Sequence, residues 1–123
     1  MVRPSCPALV IHEDDPFRKS LIASLDQQHF TVTFTTDGPE AVDLLRNRKF
    51  DVVLLGVHLA TRTGLAALDF LRDNRDRIGC GVVIIGDADP GLRSYAPWVN
   101  ETLLRPVDAN YVATRARAYC DCP

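Results

Sequence analysis

Five short apolar runs, each followed by a segment with helical spacing, restrict the fold of this chain more than any other feature of its sequence. The runs are residues 8–12, 31–35, 52–55, 81–85 and 102–104. In the first, third and fourth runs, Val, Ile and Leu fill both faces, which suits strands inside a parallel sheet covered by helices. The second run alternates polar and apolar residues and is expected nearer an edge.

The intervening segments carry the start signals of helices. Helices are expected to begin near Asp15, Asp37, Leu65, Pro90 and Asp108. Asp15 and Asp37 can accept hydrogen bonds from the first free backbone N–H groups, as helix caps do. The segment from Pro90 to Pro97 is the weakest, because Gly91 interrupts it and prolines bound it. The alternation of strand and helix predicts a doubly wound α/β domain with a parallel sheet and right-handed crossovers.

Size and composition are typical of one folded domain. The chain has 123 residues, of which 46% are apolar and 24% charged. Its N-terminal residues lack the apolar core of a secretory signal, and no apolar run approaches the length of a membrane span. We therefore expect a cytoplasmic protein without membrane contact. The net charge of −2, with acids and bases mixed along the chain, argues against nucleic-acid binding by this domain.

The four cysteines, Cys6, Cys80, Cys120 and Cys122, fit no common zinc-binding spacing. Cys120 and Cys122 are separated by one residue and could bind a metal ion or form a redox pair. Short motifs of this kind often match by chance. We therefore expect free thiols on a frayed C-terminus.

Chemistry in such a fold gathers at the carboxyl edge of the sheet, where the strands end. The predicted strand ends bring Glu13, Asp14, Gly56, Gly86 and Arg105 to that edge. Adjacent carboxylates repel each other unless they are solvated, cap a helix or share a cation. Glu13 and Asp14 are thus weak candidates for a Mg²⁺ site, whereas Gly56 has no side chain for chemistry.

Four landmarks carry a resemblance to the receiver domain of two-component response regulators. They are Glu13-Asp14 after LVIH, the strand DVVLL with Gly64 eight residues past Gly56, the strand VVII, and LLRP where the family has Lys-Pro. The match covers roughly residues 7 to 120. It implies a single receiver-like domain over residues 1–123, with a five-stranded flavodoxin-like sheet of strand order 2-1-3-4-5.

The family's mechanism is phosphoryl transfer from a sensor kinase to an aspartate at the end of the third strand. The acid pair holds Mg²⁺, a Ser or Thr and a Lys contact the phosphoryl oxygens, and an aromatic residue follows the switch. Carried over, the acceptor position is Gly56, the hydroxyl position Gly86, the lysine position Arg105 and the aromatic position Thr102. Only Glu13 and Asp14 keep their expected type.

The resemblance therefore implies a pseudo-receiver, because Gly56 provides no nucleophile for an aspartyl phosphate. We expect a non-enzymatic, phosphorylation-independent module that binds a protein partner, either a signalling protein or a fused effector domain. One alternative is a small-ligand or metal sensor that uses the acidic pocket. Another is a phosphorelay receiver with its acceptor relocated to Asp87 or Asp14, although Asp87 is more simply a helix cap or a solvated residue.

Three further side chains bear on the acidic pocket. Arg105 is expected to reach Glu13 or Asp14 and neutralise it with a forked hydrogen bond, in preference to Mg²⁺ binding. His12 and His58 lie near the acids and raise the option of a transition-metal site. An isolated histidine, buried and satisfied or simply exposed, is the commoner case.

Aromatic residues near the last strand suggest a partner surface. In receivers, partners usually meet the face built from the fourth helix, fifth strand and fifth helix. Tyr95, Trp98 and Thr102 lie in this region, and aromatic side chains are frequent at binding hot spots. The alternative is that the two aromatics cover the core beneath a short, irregular helix.

Overall fold

The computed structural model of the chain describes residues 5–94 and 97–120. Its five strands are β1 (Cys6–Ile11), β2 (Phe30–Thr35), β3 (Val52–Val57), β4 (Gly81–Gly86) and β5 (Glu101–Leu104). They form one parallel sheet in the order β2-β1-β3-β4-β5. The predicted fold class, the strand order and the edge position of β2 are confirmed.

Four α-helices connect or follow the strands: α1 (Pro16–Gln27), α2 (Pro39–Asn47), α3 (Leu65–Asp73) and α4 (Ala109–Ala116). Asp15 caps α1, since its carboxylate accepts from the Arg18 N–H at 2.9 Å. Asp108 caps α4 through the Tyr111 N–H at 3.0 Å. The predicted cap at Asp15 is confirmed, and a helix begins after Asp108 as expected.

The helix expected after Pro90 is reduced to a 3₁₀ turn, Pro90–Ser94. Gly91 lies inside the turn, and the Asp89 carboxylate accepts its N–H at 2.8 Å. A second 3₁₀ turn, Arg117–Tyr119, continues from α4. Within the described residues, the connection from β4 to β5 therefore contains a short 3₁₀ turn in place of an α-helix.

Asp37 does not cap α2, which contradicts the prediction from local sequence. The N-cap of α2 is Gly38, with φ of +122°, and no side chain caps it. The Asp37 carboxylate instead accepts from three N–H groups at the start of α3, those of Gly64, Ala66 and Ala67, at 2.9–3.2 Å. A side chain that is a cap by its local pattern thus caps a helix nearly thirty residues away.

Two apolar layers flank the sheet, one under α1 and α4 and one under α2 and α3. All six residues of β3 are buried between them. Because side chains alternate across a strand, Leu54 belongs to the first layer and Leu55 to the second. This central strand carries Gly56 at its end, so the backbone of the candidate site is anchored in the core.

Cys6 and Cys120 form a disulfide, with Cα atoms 5.5 Å apart. The prediction of a free thiol at Cys120 is therefore wrong. The 3₁₀ turn after α4 brings Cys120 to the amino edge of the sheet, where β1 begins at Cys6. Within the described residues Cys80 is a free thiol, and Cys122 lies outside them. None of the helices in the described ranges is long and apolar enough to cross a membrane.

Candidate functional site

The imidazole of His12 fills the space beside Gly56. His12 follows β1, the neighbour of β3 in the sheet, and is 3% exposed. A Cβ atom on Gly56 would lie 2.3 Å from His12 Cδ2 and 2.9 Å from Nε2, closer than real Cβ atoms come. A side chain at position 56 and this orientation of His12 therefore exclude each other.

His12 is held in place by its own contacts. Its Nδ1 lies 3.1 Å from the Glu13 carbonyl oxygen and 3.5 Å from the Asp15 carboxylate, and its ring packs 5.4 Å from that of Phe17. Because a carbonyl oxygen only accepts, Nδ1 carries the proton. Its Nε2 is buried without a hydrogen-bond partner among the described residues. The ring therefore packs as a plug beside Gly56.

The space beside Gly86, the last residue of β4, is occupied as well. A Cβ atom on Gly86 would lie 2.7 Å from Cδ1 of Leu92. Leu92 belongs to the 3₁₀ turn and is 7% exposed, so its side chain points into the protein. An imidazole and an isobutyl group thus lie where a Cβ atom at positions 56 and 86 would point.

The structure explains why a glycine, Gly64, stands eight residues after Gly56. Its φ is +88°, in the left-handed region that favours glycine. A Cβ atom there would also lie 2.3 Å from the Gly56 carbonyl oxygen. The loop after β3 therefore returns against the backbone of Gly56.

Each member of the acidic pair contacts a cationic or histidine side chain. Glu13 Oε1 lies 3.0 Å from His58 Nε2, and Asp14 Oδ1 lies 3.0 Å from an Arg18 guanidinium nitrogen. Arg18 also donates to the His12 carbonyl oxygen at 3.3 Å, and its guanidinium lies 4.9 Å from the Phe34 ring centroid. The acids are thus paired within the protein.

Arg105 does not pair with Glu13 or Asp14, so that prediction is wrong. Its guanidinium donates to the Val57 carbonyl oxygen at 3.0 Å and to the Asp87 carboxylate at 3.4 Å. The reason is distance across the sheet: β3 and β4 separate β5 from β1. The side chain reaches the ends of those two strands before it reaches the acids after β1.

His58 bridges two of the acids, a role that the sequence pattern did not assign. It follows β3, and its Nδ1 lies 3.0 Å from Asp87 Oδ2 while its Nε2 contacts Glu13. Carboxylates only accept, so both contacts are hydrogen bonds only when both ring nitrogens carry a proton. The hydrogen bond from His58 is the largest cause that lowers the pKa of Asp87, and the Arg105 charge adds to it. The signal available in the sequence was a histidine two residues past the acceptor position.

The residues of this pocket do not fit Mg²⁺. The ion requires several oxygen ligands in octahedral geometry and gives up its waters reluctantly. Here the Glu13 and Asp14 carboxylates face His58 and Arg18, and Gly56 contributes no third carboxylate. In the described part of the chain, no group of three or more His, Cys, Asp or Glu side chains is placed to hold a metal ion.

Of the three residues predicted for the partner surface, the structure describes Trp98 and Thr102, and these two differ in their surroundings. Trp98 packs against the apolar layer under α2 and α3, and its Nε1 is buried without a partner among the described residues. Its role as a cover of the core is therefore the one that the structure supports. Thr102 is exposed on β5, whereas Tyr95 lies outside the described residues.

Comparisons with known proteins agree with this architecture. The profile of the response regulator receiver domain family matches residues 8–112. Response regulator MprA of Mycobacterium sp. (strain KMS) is 32% identical over 97 residues, which cover 72% of this chain and 42% of that protein. The transcriptional activator protein PfeR of Pseudomonas aeruginosa is 39% identical over 67 residues, covering 54% of this chain and 22% of its own. The chain thus spans less than half the length of these relatives.

Solved receiver structures share the fold at low sequence identity. The receiver domain of the Francisella response regulator 1452 superposes with a TM-score of 0.78 at 19% identity, covering 94% of this chain and 96% of that one. HP1043, an orphan response regulator of Helicobacter pylori, gives 0.78 at 15% identity, covering 96% and 98%. At this identity the likeness concerns the fold alone.

Proposed function

The chain belongs to the response regulator receiver family of two-component signalling, and on that premise we propose that it acts as a pseudo-receiver. Receiver domains are generally non-enzymatic signalling modules. In this proposal the domain binds a protein partner in a way that does not depend on phosphorylation. The partner is another signalling protein or an effector domain fused to it.

The observation that carries the proposal is the His12 ring beside Gly56. An absent aspartate alone could be a recent loss that leaves a receptive pocket. Here a buried imidazole would lie 2.3 Å from the Cβ of any side chain at position 56. Leu92 fills the hydroxyl position in the same way. Protein side chains thus occupy the space beside both positions that phosphoryl transfer would use. This supports a domain that has the receiver fold without the transfer chemistry.

The ion pairs at the rim support the same proposal. Glu13, Asp14 and Asp87 are each within 3.4 Å of a cationic or histidine side chain. An incoming anionic phosphoryl donor would have to break these contacts without gaining a Mg²⁺ ion to neutralise its charge. A relocated acceptor at Asp87 or Asp14 is disfavoured for this reason. The sensor hypothesis is weakened likewise, because the acids already have partners.

The partner surface that we propose lies along the β5 edge. Leu104 on β5 is 49% exposed and Tyr111 on α4 is 51% exposed, and both are large apolar side chains. The outward-facing side of β5 also includes the exposed Thr102. Thr102 is too small to act as the aromatic lever of a phosphorylation switch. We therefore propose that this edge is accessible to the partner at all times and is not switched by phosphorylation.

Intact-mass spectrometry tests the proposal. The protein is incubated with acetyl phosphate or phosphoramidate in the presence of Mg²⁺, beside an active receiver as positive control. We expect the mass to stay unchanged, because no nucleophile faces the donor. A stoichiometric, hydroxylamine-labile adduct of one phosphoryl group would overturn the proposal. Peptide mapping would then show whether Asp87 or Asp14 carries it.

A further inference from the structure

A groove of about 820 Å³ lies at the amino edge of the sheet, at the opposite end from the acidic pocket. It is bounded by the segments that follow α2 and α3 and lead into β3 and β4. Its volume falls within the range of roughly 300–1,000 Å³ that is usual for small-molecule sites. Neither the receiver chemistry nor the proposed β5 surface uses this region.

The groove is lined by four cationic side chains. They are Arg46, Arg48, Lys49 and Arg77, beside two acids, Asp51 and Asp76. Across residues 5–94 and 97–120, none of the four cations lies within 4.0 Å of a carboxylate oxygen, whereas those at the acidic pocket do. The chain as a whole carries a net charge of −2, whereas cations outnumber acids among the side chains that line the groove. Unpaired cations facing one concave surface favour an anionic occupant.

Two of the guanidinium groups are already positioned. Arg46 lies over the Phe70 ring at 5.6 Å from its centroid, and Arg48 lies over the Phe50 ring at 5.3 Å. A guanidinium stacked on a ring keeps its planar fork of N–H donors free at its edge. That fork matches two oxygens of a phosphate, so binding would cost less side-chain entropy than from a freely rotating arginine.

Favourable interaction with the negative C-terminal ends of α2 and α3 does not explain why the four cations line this groove. Arg46 lies in the last turn of α2 and can interact with the carbonyl groups there. Lys49 and Arg77 lie beyond the ends of α2 and α3, and the dipole effect falls off within the last turn. Cys80 at the groove does not compete as an anion, since burial raises its pKa to about 11.

We propose that this groove binds a phosphorylated small molecule about the size of a nucleotide. The arginine forks and Lys49 would contact its phosphate oxygens. The mixed charge of the rest of the surface argues against a longer nucleic acid as the occupant. The proposal does not rest on the pseudo-receiver function, because the groove and the acidic pocket lie at opposite edges of the sheet.

Calorimetric titration at low ionic strength tests it, with pyrophosphate and adenosine triphosphate as probes. We expect saturable binding that weakens with added salt, as screened charge pairs do. Amide NMR should show the shifts at residues 46–50 and 76–80. The variant Lys49→Glu/Arg77→Glu should bind about tenfold to a hundredfold more weakly, as expected for lost hydrogen bonds to charged groups.

The matched control is Lys19→Glu/Arg93→Glu. It replaces the same two residue types, both exposed and outside the groove, and changes the net charge by the same amount. We expect it to bind as the wild type does. Urea unfolding of both variants checks that they fold, and Lys49→Ala/Arg77→Ala replaces the glutamate variant if that variant does not.

Three results would overturn the proposal. The first is no saturable binding of either phosphate probe. The second is equal weakening in the groove variant and the control, which would assign binding to the overall field. The third is tighter binding of a glutamate-rich peptide than of both phosphate probes, which would identify the occupant as an acidic protein segment.

Discussion

Different interactions stabilise the two edges of the sheet. At the carboxyl edge, His58 bridges Glu13 and Asp87. Arg105 also contacts Asp87, Arg18 contacts Asp14, and the His12 ring lies beside Gly56. At the amino edge, one disulfide joins the start of β1 to Cys120, and the neighbouring cations have no carboxylate partner within the described residues. At the edge where the family performs its chemistry, the three acids thus have partners within the protein.

The difference teaches that the absence of a side chain and the filling of the space beside it are separate observations. The sequence shows that position 56 is a glycine, but only the position of His12 shows that the space beside it is occupied. Conversely, a surface without an assigned role can keep unpaired charge. The stability of the protein should therefore depend on reductant through the amino edge, and on packing changes and acid through the carboxyl edge.

The largest effect is expected from removing the disulfide. Cys6 and Cys120 are 114 residues apart in sequence, so the cross-link restricts the unfolded chain strongly. Reduction, or the variant Cys6→Ala/Cys120→Ala, should lower the free energy of unfolding by about 2–4 kcal/mol. Urea unfolding with and without reductant measures it.

The double variant is also the control for the reductant, because its stability should no longer depend on it. Peptide mapping under non-reducing conditions should recover the Cys6–Cys120 cross-linked pair. An oxidised protein that yields only unlinked Cys6 and Cys120 peptides would break the comparison at the amino edge.

A packing test at the carboxyl edge comes next. Gly56→Ala adds one methyl group beside the His12 ring and should cost about 1–3 kcal/mol, as overpacking of a core does. Gly79→Ala is the matched control, since no atom lies within 4 Å of a Cβ built there. Its effect should stay within about 0.5 kcal/mol. Chemical denaturation of both variants gives the values.

A double-mutant cycle sharpens this test. If His12 is the obstacle, His12→Ala/Gly56→Ala should be more stable than the two single changes predict when added. Strict additivity would mean that Gly56 and His12 do not compete for space. The plug would then be an incorrect description of the pocket.

The smallest effect concerns pH. The hydrogen bond from His58 lowers the pKa of Asp87 below its ordinary value of 3.8. A depressed folded-state pKa stabilises the protein above the ordinary value, and the contribution is lost as the pH falls through the folded value. Because Asp87 is about half exposed, the contribution should be less than about 1 kcal/mol.

Asp87→Asn should therefore lose stability less steeply than the wild type below about pH 4. Asp43→Asn, at an exposed position of α2, serves as the control and should follow the wild type. Urea midpoints measured across the acid range compare the three proteins. Identical slopes for all three would show that the His58 bridge does not contribute in solution.

Much of the fold follows from local sequence, because apolar periodicity and capping residues act over a few positions. The five strands and the caps at Asp15 and Asp108 are of this kind. Asp37 has the same local pattern, yet its carboxylate caps α3, because the fold brings the start of that helix within hydrogen-bond distance. The Cys6–Cys120 pair likewise depends on where α4 ends in space.

The candidate site shows the same limit. Strand ends predict which residues reach the carboxyl edge, and Glu13, Asp14, Gly56 and Gly86 lie there. Their partners depend on distances across the sheet, which residue types alone do not give. Arg105 has the right charge to neutralise Glu13 but starts from β5, whereas His58 starts from the adjacent strand.

Amide NMR with beryllofluoride, a phosphoryl mimic, tests the central claim most directly. Spectra are recorded for Gly56→Asp and for His12→Ala/Gly56→Asp, where the carboxylate has room, with and without Mg²⁺ and beryllofluoride. We predict at most local shifts near residue 56, because no hydroxyl at Gly86 or lysine at Arg105 completes the phosphoryl site. Large shifts spreading to Trp98 and Thr102 would contradict the account and show that the receiver switch survives.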